Sequence, residues 1–519
     1  MNILLINPEV PNTFWSLKSA LKFVSKKALL PPLGLLTVAA MLPKSFEKKL
    51  IDMNVTALHD NDIRWADYVF ISAMYIQKDS AREVIKRCNK LKIKVVAGGP
   101  LFTSFPDLIQ GADHYVLSEA EITLPQFLND INNNCAKHIY KTDLKADITT
   151  SPLPLWQLVD IKKYGMMGLQ YSRGCPFDCD FCDVTQLFGH KVRTKTTRQI
   201  IEELESLYKY KWRGDVFFVD ENFIGKRQRL KKELLPAIIE WMQKRKRPFS
   251  FSTQTSIDLV DDEELMTLMT KAGFDGVFIG LESPNDSSLA ECNKTQNIGR
   301  NIVEDIKKIQ RFGMQVQAGF ILGFDNDKPN VFDKLINLIQ DSGIVTAMVG
   351  LLNAPPGTKL YQKLKNENRL ADTPTGDNMD CSINFIPKMN IYELRGGYMK
   401  VLNTIYSQKY FCKRIKTFLK NYNFNYKTKY KLGMRDVKAF FKSIWRIGMV
   451  EKGKMHYWLL LMWSFGDLRR LPLVVRYSIF GFHFRKILKS IHTRMEDFSA
   501  NPVNECNNIS NDHKLLTKD

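Results

Sequence analysis

Short apolar runs alternate with amphipathic stretches through the first quarter of the 519-residue chain. Four runs have the length and continuous apolar character of buried strands, at residues 2–7, 49–52, 68–72 and 93–99. The stretches 33–42 and 80–91, which lie between strands, show helical periodicity. This alternation predicts an α/β fold with a doubly wound, Rossmann-like parallel sheet over residues 1–139. Ligands bind at the carboxyl ends of the strands in such sheets.

A second alternation of strands and helices follows a predicted linker at residues 140–164. Six candidate strands share a buried apolar character, at 168–171, 216–219, 249–252, 276–280, 316–321 and 345–350. Amphipathic helices lie between them, for example at 197–210 and 261–272. Six strand–helix units over about 200 residues predict a (βα)6-type partial TIM barrel at 165–364, with its active site where the strands end.

The C-terminal part of the chain has a different composition. Residues 365–498 predict a basic, aromatic-rich helical domain, and the polar residues 499–519 predict a disordered tail. The net charge is +20, and from residue 401 onward 23 Lys and Arg stand against 8 Asp and Glu. Most of the basic excess therefore belongs to one module.

Three interpretations of this basic module remain open. The helices could pack on the barrel and expose a solvated basic face. They could instead attach the chain peripherally to an anionic membrane, where Lys and Arg neutralise lipid charge and aromatic side chains lie at the interface. A nucleic-acid surface combines the same residue types, but it is the least favoured because the chain contains no RRM or KH signature.

Bulk features narrow the class of protein. With 44% hydrophobic and 11% aromatic residues the chain can bury real cores, which excludes a disordered or fibrous protein. The first residues lack the basic region and long apolar run of a secretory signal, and no window approaches about 18 uncharged apolar residues. We therefore expect a cytoplasmic protein without a membrane-spanning helix. Neither a GxGxxG fingerprint nor a GxxxxGK[ST] loop is present, which removes the main support for a nicotinamide or P-loop nucleotide site.

Three of the nine cysteines crowd into eight residues, as Cys175, Cys179 and Cys182 with the spacing CxxxCxxC. Thiolates on one short loop can hold a metal centre, and three of them leave one iron of a four-iron cluster open to a small molecule. A structural zinc site would need a fourth ligand, such as His190. Disulfides are disfavoured because the number of cysteines is odd and we expect a reducing compartment. The remaining alternative is that the three cysteines are inert and purely structural.

The CxxxCxxC loop, with the aromatic Phe181 before its last cysteine, resembles the signature of the radical S-adenosylmethionine (SAM) superfamily. Residues 280–283 (GLES), 319–325 (GFILGFD) and 353–361 resemble its fourth-, fifth- and sixth-strand SAM motifs, and 220–223 stand at the second-strand position. The resemblance implies a [4Fe–4S] cluster on the three cysteines. It also implies SAM contacts from Phe181, Asp220, Glu221, Gln254, Glu282, Ser283, Gly319, Gly323 and Ala354. Glu282 could equally cap the turn that follows it.

The N-terminal domain resembles the cobalamin-binding domain that precedes the barrel in one large subclass of this superfamily. The resemblance implies cobalamin contacts from the loops after the strands, at Asp52, Asn54, Met74, Tyr75, Gly98, Gly99 and Glu119. Asn54 stands where related domains carry the histidine of DxHxxG, so we expect cobalamin to bind without a histidine ligand. Some of these residues could instead have structural roles. Gly98 and Gly99 could form a tight turn, Asp52 could hold a helix N-terminus, and residues 74–75 could pack at the edge of the sheet. A domain that has lost corrin binding is also open.

The C-terminal block is similar to the extension found in the hopanoid C-2 methylases and related lipid-modifying radical SAM enzymes. The resemblance implies C-methylation of an unactivated carbon in a hydrophobic or lipid-like substrate, with the [4Fe–4S] cluster, SAM and cobalamin as cofactors. It also implies an external one-electron donor of the flavodoxin or ferredoxin type. The alternatives are a radical enzyme that forms a ring or a C–C bond, and a non-catalytic iron–sulfur or corrinoid-binding protein at a membrane.

Overall fold

The computed structural model describes residues 1–371, 375–377, 379–424 and 433–500, with side chains described through residue 493. Its first sheet has six parallel strands in the order β2-β1-β3-β4-β5-β6. The strands are β1 (Asn2–Asn7), β2 (Glu47–Asp52), β3 (Tyr68–Ser72), β4 (Lys94–Gly98), β5 (His114–Val116) and β6 (Ile139–Tyr140). The helices that accompany them are α1 (Lys18–Leu21), α2 (Leu33–Met41), α3 (Asp60–Arg64), α4 (Lys78–Lys90), α5 (Pro100–Ser104) and α6 (Ala120–Asn132).

The predicted Rossmann-like domain is confirmed, with its four predicted strands close to their expected bounds. The sequence pattern does not predict β5 and β6, which are only three and two residues long. Tyr140 pairs with Val116, so the sheet extends one residue into the predicted linker. The registers Asn7↔Asp52 and Ser72↔Gly98 place the predicted ligand loops at one sheet edge.

The second sheet is also parallel, in the order β14-β13-β12-β11-β10-β7, and β8 and β9 form a separate antiparallel pair. The strands are β7 (Met167–Leu169), β8 (Ser172–Arg173), β9 (Arg193–Thr194), β10 (Gly214–Phe218), β11 (Phe249–Thr255), β12 (Phe274–Glu282), β13 (Gln315–Leu322) and β14 (Thr346–Leu351). The helices are α7 (Val184–Phe188), α8 (Thr197–Lys209), α9 (Arg227–Arg229), α10 (Leu235–Lys244), α11 (Glu263–Ala272), α12 (Asp286–Glu291), α13 (Ile302–Arg311), α14 (Val331–Ser342) and α15 (Lys359–Asn366). Since β7 and β14 are the two edges, the sheet is the partial barrel that the sequence predicts.

Residue alternation along β11 shows which face of the barrel is which. Phe249, Phe251 and the two threonines that follow in the same phase are buried, and Phe249 stacks on Trp241 of the outer helix α10 with ring centroids 5.5 Å apart. Side chains alternate between the two faces of a strand. Gln254 and the half-buried serines in its phase therefore point to the concave, inner face.

Five C-terminal helices complete the fold and confirm the predicted helical region. They are α16 (Ile391–Tyr406), α17 (Gln408–Asn421), α18 (Met434–Ser443), α19 (Lys454–Ser464) and α20 (Leu471–Ala500), with a π-helical segment at Ile444–Val450. The fully buried Arg414 fixes α17 to the barrel by donating to the carbonyl oxygen of Val345 and to Gln340 Oε1. Within the described residues, no helix combines the length and the apolar character needed to cross a bilayer. Residues 501–519 of the predicted tail lie outside the described residues.

A segment of the N-terminal domain leaves its own sheet and packs on the C-terminal helices. The Phe14 ring stacks on Phe484 of α20, with centroids 4.2 Å apart, and Ala20 and Phe23 join the core formed by α18, α19 and α20. The Nε2–H of His483 donates to the carbonyl oxygens of Thr13 and Phe14, at 3.2 and 3.1 Å. The packing thus crosses the predicted boundary of the first domain.

Acid should loosen this contact, because burial lowers the pKa of His483 below its ordinary value near 6.5. Its Nδ1 is buried without a partner, so a second proton would be a buried, unpaired charge. Because the pKa is lower in the folded protein than in the unfolded chain, the contribution of His483 to stability is fully present above the ordinary pKa. It is lost as the pH falls below that value. We expect the wild type to lose up to about 1.4 kcal/mol of unfolding free energy per pH unit below about pH 6.5.

The measurement is urea unfolding at a series of pH values for the wild type and for His483→Gln, which keeps an N–H donor. His492→Gln, exposed on the same helix, is the control and should follow the wild type. The prediction would be contradicted if the unfolding free energy of all three proteins fell equally steeply with decreasing pH.

Candidate functional site

The three clustered cysteines lie on the loop between β8 and α7. Gly174 enters this loop with φ +96°, and a Cβ there would come within 2.9 Å of the carbonyl oxygens of Gly189 and Lys191. Only glycine fits such a position without displacing backbone. The Cys175 N–H donates to the Gly189 oxygen at 3.3 Å, and the Cys182 N–H donates to the Cys179 oxygen at 3.1 Å. The loop is therefore folded by its own backbone, and its three thiols form no disulfide.

Asp220 holds the strand that leads into this loop. The carboxylate is fully buried and accepts hydrogen bonds from the Tyr171 N–H at 3.1 Å and from the backbone N–H and hydroxyl of Ser172. Burial raises the pKa of Asp220 to about 6 despite these donors. Both carboxylate oxygens accept hydrogen bonds, so Asp220 anchors the end of β10 to β8, and its predicted SAM contact stays a prediction.

A buried cation faces the cysteines. Lys294 Nζ lies 3.0 Å from Glu282 Oε1, with side chains only 13% and 9% exposed, and its charge acts on Cys175, Cys179 and Cys182. Burial raises the pKa of all three thiols, that of Cys182 to about 12. Burial also disfavours the charged lysine, but Glu282 outweighs that effect and raises the pKa of Lys294 above its ordinary value. The pair gives the thiols a fixed positive neighbour.

Glu282 occupies a strained position at the end of β12. Its φ is +63°, in the left-handed region that residues other than glycine rarely adopt. Such strain persists where surrounding structure imposes it, and it concentrates at functional sites. The carboxylate pairs with Lys294 and does not cap the following turn, since no helix-capping bond from its side chain is present among the described residues.

The donor set fits an iron–sulfur cluster better than a zinc ion. No group of three or more His, Cys, Asp or Glu side chains in the described part of the chain converges closely enough for one metal ion. His190, the candidate fourth zinc ligand, is 58% exposed and lies 3.9 Å from Asp178. A four-iron cluster is wider than a single ion and takes three protein thiolates with one iron left open. The three half-buried cysteines form no disulfide and have the donor chemistry for that group.

Several polar atoms near the ends of the barrel strands are buried without a hydrogen-bond partner. They are Glu221 Oε2, Asn222 Oδ1, Thr255 Oγ1, Gln296 Oε1, Asn297 Oδ1 and Asn353 Oδ1. Buried polar groups are normally paired, so a concentration of unpaired ones marks the place of a polar ligand. Burial raises the pKa of Glu221 to about 7. A cationic group that bound there would restore the charged form.

Other predicted SAM contacts have different environments. The Gly323 N–H donates to Asp327 Oδ2 at 2.9 Å, and the Ala354 N–H and carbonyl oxygen are both paired, at 2.8 Å each, with the side chain of Asn384. These backbone groups are thus already satisfied. At Gly319 the requirement is space, because a Cβ would come within 3.1 Å of the Phe278 ring.

The remaining predicted contacts are close to the loop or the strand ends. The Phe181 ring packs edge-on against Phe324, the Ser283 Oγ accepts from the Asn285 N–H at 3.2 Å, and Gln254 lies on the inner face of β11. Their roles as ligand contacts stay predictions.

At the edge of the first sheet, Asp52 and Asn54 build a closed network. Asp52 accepts from Asn7 and Asn54 and, at 2.9 Å, from the buried hydroxyl of Tyr164 in the linker. The Asn54 amide donates to Asp52 and Pro8, and its oxygen accepts from the Val10 N–H. The groups of Asn54 are thus engaged within this network, and the binding of cobalamin without a histidine ligand stays a prediction.

Glycines 98 and 99 are required by the fold itself. A Cβ on Gly98 would lie 2.7 Å from the Val116 carbonyl oxygen, and one on Gly99, which has φ +87°, would lie 2.4 Å from Ser72 Oγ. The tight-turn interpretation explains both without a ligand. Met74 beside them is 52% exposed and free to contact one, whereas Tyr75 is stacked on Phe105 at 4.2 Å.

Glu119 belongs to an interdomain charge cluster with Glu121, Arg173 and Arg193. Its carboxylate binds Arg193 through two contacts of 2.8 and 2.9 Å and Arg173 at 2.9 Å, and all four side chains are at most 15% exposed. Burial opposes the charge on Glu121, but Arg173 outweighs it and lowers the pKa of Glu121 to about 2. The oxygens of Glu119 accept from the two arginines, and its predicted cofactor contact stays a prediction.

This cluster brings the two candidate sites together. Arg173 and Arg193 form the paired strands β8 and β9 that flank the cysteine loop, whereas Glu119 and Glu121 follow β5 of the first sheet. Helix α5, which starts after Gly99, also contacts α7, which starts after Cys182. The carboxyl edge of the first sheet therefore faces the cysteine loop. Sequence reasoning missed Arg173, Arg193, Lys294 and Asn384, and only the arginines, which border the loop, gave a local signal.

Comparisons with known sequences agree with this geometry. The sequence profile of the B12 binding domain matches residues 24–128, that of the radical SAM superfamily matches 169–339, and a domain of unknown function matches 358–497. An uncharacterized methyltransferase of Synechocystis sp. is 40% identical over 484 residues, covering 92% of this chain and 90% of the relative. The hopanoid C-2 methylase of Rhodopseudomonas palustris is 32% identical over 389 residues, 74% of this chain and 73% of the methylase.

A solved structure shares the whole fold. The cobalamin-dependent S-adenosylmethionine radical enzyme OxsB, with aqua-cobalamin and S-adenosylmethionine bound, superposes with a TM-score of 0.61. The match covers 97% of this chain and 81% of OxsB at 16% identity. At that identity the likeness establishes the arrangement of the domains and no more.

Replacing the cysteines should separate cluster ligands from bystanders. We expect Cys175→Ala, Cys179→Ala and Cys182→Ala each to lose most of the iron and the visible absorbance after anaerobic reconstitution, because three thiolates are the minimum set. Cys292→Ser is the matched control, since Cys292 is buried beside the loop with its thiol on the Leu289 oxygen. The iron content of Cys292→Ser should equal that of the wild type. The assignment of Cys175, Cys179 and Cys182 as cluster ligands would be contradicted if Cys292→Ser lost its iron and the three alanine variants kept theirs.

Neutralising the interdomain charge cluster should loosen the two domains. Glu119→Gln leaves Arg193 without its buried carboxylate, and breaking such a pair costs about 3 kcal/mol. We expect a lower unfolding midpoint and faster proteolysis of the segment between the domains. Glu203→Gln, which breaks the equally buried pair with Lys195 inside the barrel, should lower stability without that selective cleavage. The same cleavage pattern in both variants would rule out an interdomain role.

Proposed function

Because the chain belongs to the family of cobalamin-dependent radical SAM methyltransferases, we propose that it methylates an unactivated carbon of a hydrophobic, lipid-like substrate. The observation that carries the proposal is the 32% identity to hopanoid C-2 methylase over three quarters of both chains. A lipid-like substrate resides in a membrane, so the proposal includes a peripheral contact with an inner, anionic membrane surface. It also includes a flavodoxin- or ferredoxin-type protein as electron donor.

The inner face of the barrel supports an apolar substrate. The positions around Gly319 are occupied by Phe278 and Met348, and the Trp15 ring packs edge-on against Phe278 at 5.4 Å. These half-buried side chains form an apolar surface next to the polar strand ends. Ligand sites combine such apolar walls with a few polar groups that fix orientation.

Each part of the site has a proposed task. Cys175, Cys179 and Cys182 hold the cluster, and Lys294, which is held in place by Glu282, puts a positive charge beside it. Unpaired polar atoms at the strand ends, Glu221 Oε2 among them, orient the polar groups of SAM. The edge that contains Met74 faces the cysteine loop and receives cobalamin.

When bound, the cluster and SAM supply the radical that removes a substrate hydrogen, and cobalamin supplies the methyl group. The protein's own contribution is orientation and exclusion of water. The interdomain charge cluster serves this by fixing the distance between the two cofactor sites, since a misplacement of about 1 Å can cost about a hundredfold in rate.

The test supplies SAM with an isotopically labelled methyl group to the anaerobically reconstituted protein, with a reduced flavodoxin and an extract of membrane lipids. We expect label in a lipid product and 5′-deoxyadenosine alongside it. Cys179→Ala is the control and should give neither. SAM cleavage with no label in any product would favour the ring- or bond-forming alternative, and no cleavage by a protein with full iron and cobalamin content would favour a binding protein.

A further inference from the structure

The C-terminal helices expose a concentration of large apolar side chains. Eleven of them lie between residues 434 and 468 and are 42% to 71% exposed. They form the docking face, which consists of Met434, Val437, Phe441, Trp445, Met449, Val450, Met455, Leu459, Met462, Phe465 and Leu468. Exposed apolar surface of this density is unusual in a protein that meets only water, and it marks an interaction site.

The spacing of these residues follows the helices. Along α18 and the π-helical segment the exposed positions recur every three or four residues, at 434, 437, 441, 445 and 449, and along α19 at 455, 459 and 462. Residues three and four apart share one helix face. The opposite faces of the same helices are buried, with Ala439, Ile447, Tyr457 and Leu461 in a common core with Phe23. The two helices are thus packed normally on one side and apolar on the other.

Several cations without a carboxylate partner in the described part of the chain lie on the same stretch as the docking face. Lys438, Lys442, Arg446 and Lys452 are exposed and form no ion pair among the described residues. The three acidic residues of the same stretch are engaged elsewhere. Glu451 binds Arg485, Asp467 binds Arg469, and Asp436 closes the start of α18 at the Gly433 N–H. The face therefore combines apolar side chains with a surplus of positive charge.

We propose that the docking face lies in the interface of an anionic lipid bilayer and holds the protein at the membrane as a peripheral protein. An amphipathic surface with aromatic and aliphatic side chains on one side and Lys and Arg around them is suited to the boundary between lipid head groups and acyl chains. The positive charges match the anionic lipids of such a surface. The absence of a spanning helix among the described residues agrees with attachment from one side.

The docking face is linked to the barrel by one segment. Phe23 packs beneath the face, and nine residues earlier Phe14 stacks on Phe484 while Trp15 contacts Phe278 of β12. A lipid leaving the bilayer would thus meet the segment that borders the inner face of the barrel. The inference rests on the proposed function, which already includes a membrane contact and a lipid-like substrate, and it adds the surface that makes that contact.

The first test is co-sedimentation of the full chain with vesicles of phosphatidylcholine alone or mixed with phosphatidylglycerol. We expect binding to the anionic vesicles that weakens as salt is added. The double variant Phe441→Ser/Trp445→Ser should bind at least about tenfold more weakly, because two exposed aromatic side chains supply much of the apolar contact. Lys438→Gln/Lys452→Gln should lose the preference for anionic lipid.

The matched control is Tyr392→Ser, which removes an aromatic side chain that is 75% exposed on α16, away from the docking face. It should bind as the wild type does. A second readout is the fluorescence of the wild type with brominated lipids, which should quench a component that the Phe441→Ser/Trp445→Ser variant lacks. The proposal would be overturned if the wild type did not bind anionic vesicles at low salt. It would also be overturned if Phe441→Ser/Trp445→Ser and Lys438→Gln/Lys452→Gln both bound as well as the wild type does.

Other occupants of the face give different results. A concentration-dependent dimer without lipid, abolished by Phe441→Ser/Trp445→Ser, would assign the face to a second copy of the chain and refute the membrane proposal. Binding to RNA in place of vesicles would refute it as well. Vesicle binding without any methylated lipid would uphold the docking face and count against the proposed substrate alone, so the two failures can be told apart.

Discussion

The placement of the two candidate sites depends on a buried ionic contact between the first domain and the barrel, which adds to the apolar packing of the Phe14 segment. Glu119 and Glu121 follow a strand of the first sheet, and Arg173 and Arg193 flank the cysteine loop of the second. Burying four charges is costly unless the geometry satisfies each of them, so the cluster forms in one relative placement of the domains only. The bidentate Arg193–Glu119 contact adds direction to that placement. Tyr164 reaching Asp52 from the linker closes the same interface on the other side.

The parts of this fold that the sequence predicts are those in which local pattern decides the outcome. Parallel strands buried on both faces read as continuous apolar runs, and the strand around Phe70 follows this rule, whereas the strand around Phe251 alternates buried and half-buried positions. The cysteine loop is visible because its spacing is local. Lys294 carries no such signal, since it comes from a loop far along the chain and meets the cysteines only after β12 has taken its place. Gly98 shows the opposite case, in which a residue assigned to a ligand is explained by its approach to the Val116 oxygen.

Strain and unsatisfied polarity coincide in the barrel, and their coincidence locates the site better than any motif. Asp220 and Asn384 satisfy backbone groups of the strand ends completely, which makes those positions rigid. Glu221 and Glu282 stand beside these anchors, one with an unpaired buried oxygen and the other in a left-handed conformation. A fold keeps such costs where a ligand offsets them. The anchors supply the stability that lets the neighbouring positions remain unsatisfied.

Charged side chains are distributed unevenly. Among the residues that the structure describes, those inside the protein are paired, whereas those at the docking face are not. The Lys294–Glu282 pair and the interdomain cluster cancel within the protein, so they contribute little to the field outside it. The basic excess at the docking face is not cancelled, because its few acidic residues bind elsewhere, as Glu451 does to Arg485. Only the uncancelled charge can attract a distant anionic surface. Under the membrane proposal, most of the net charge of +20 concerns where the protein binds, while the chemistry belongs to a site whose own charges are paired.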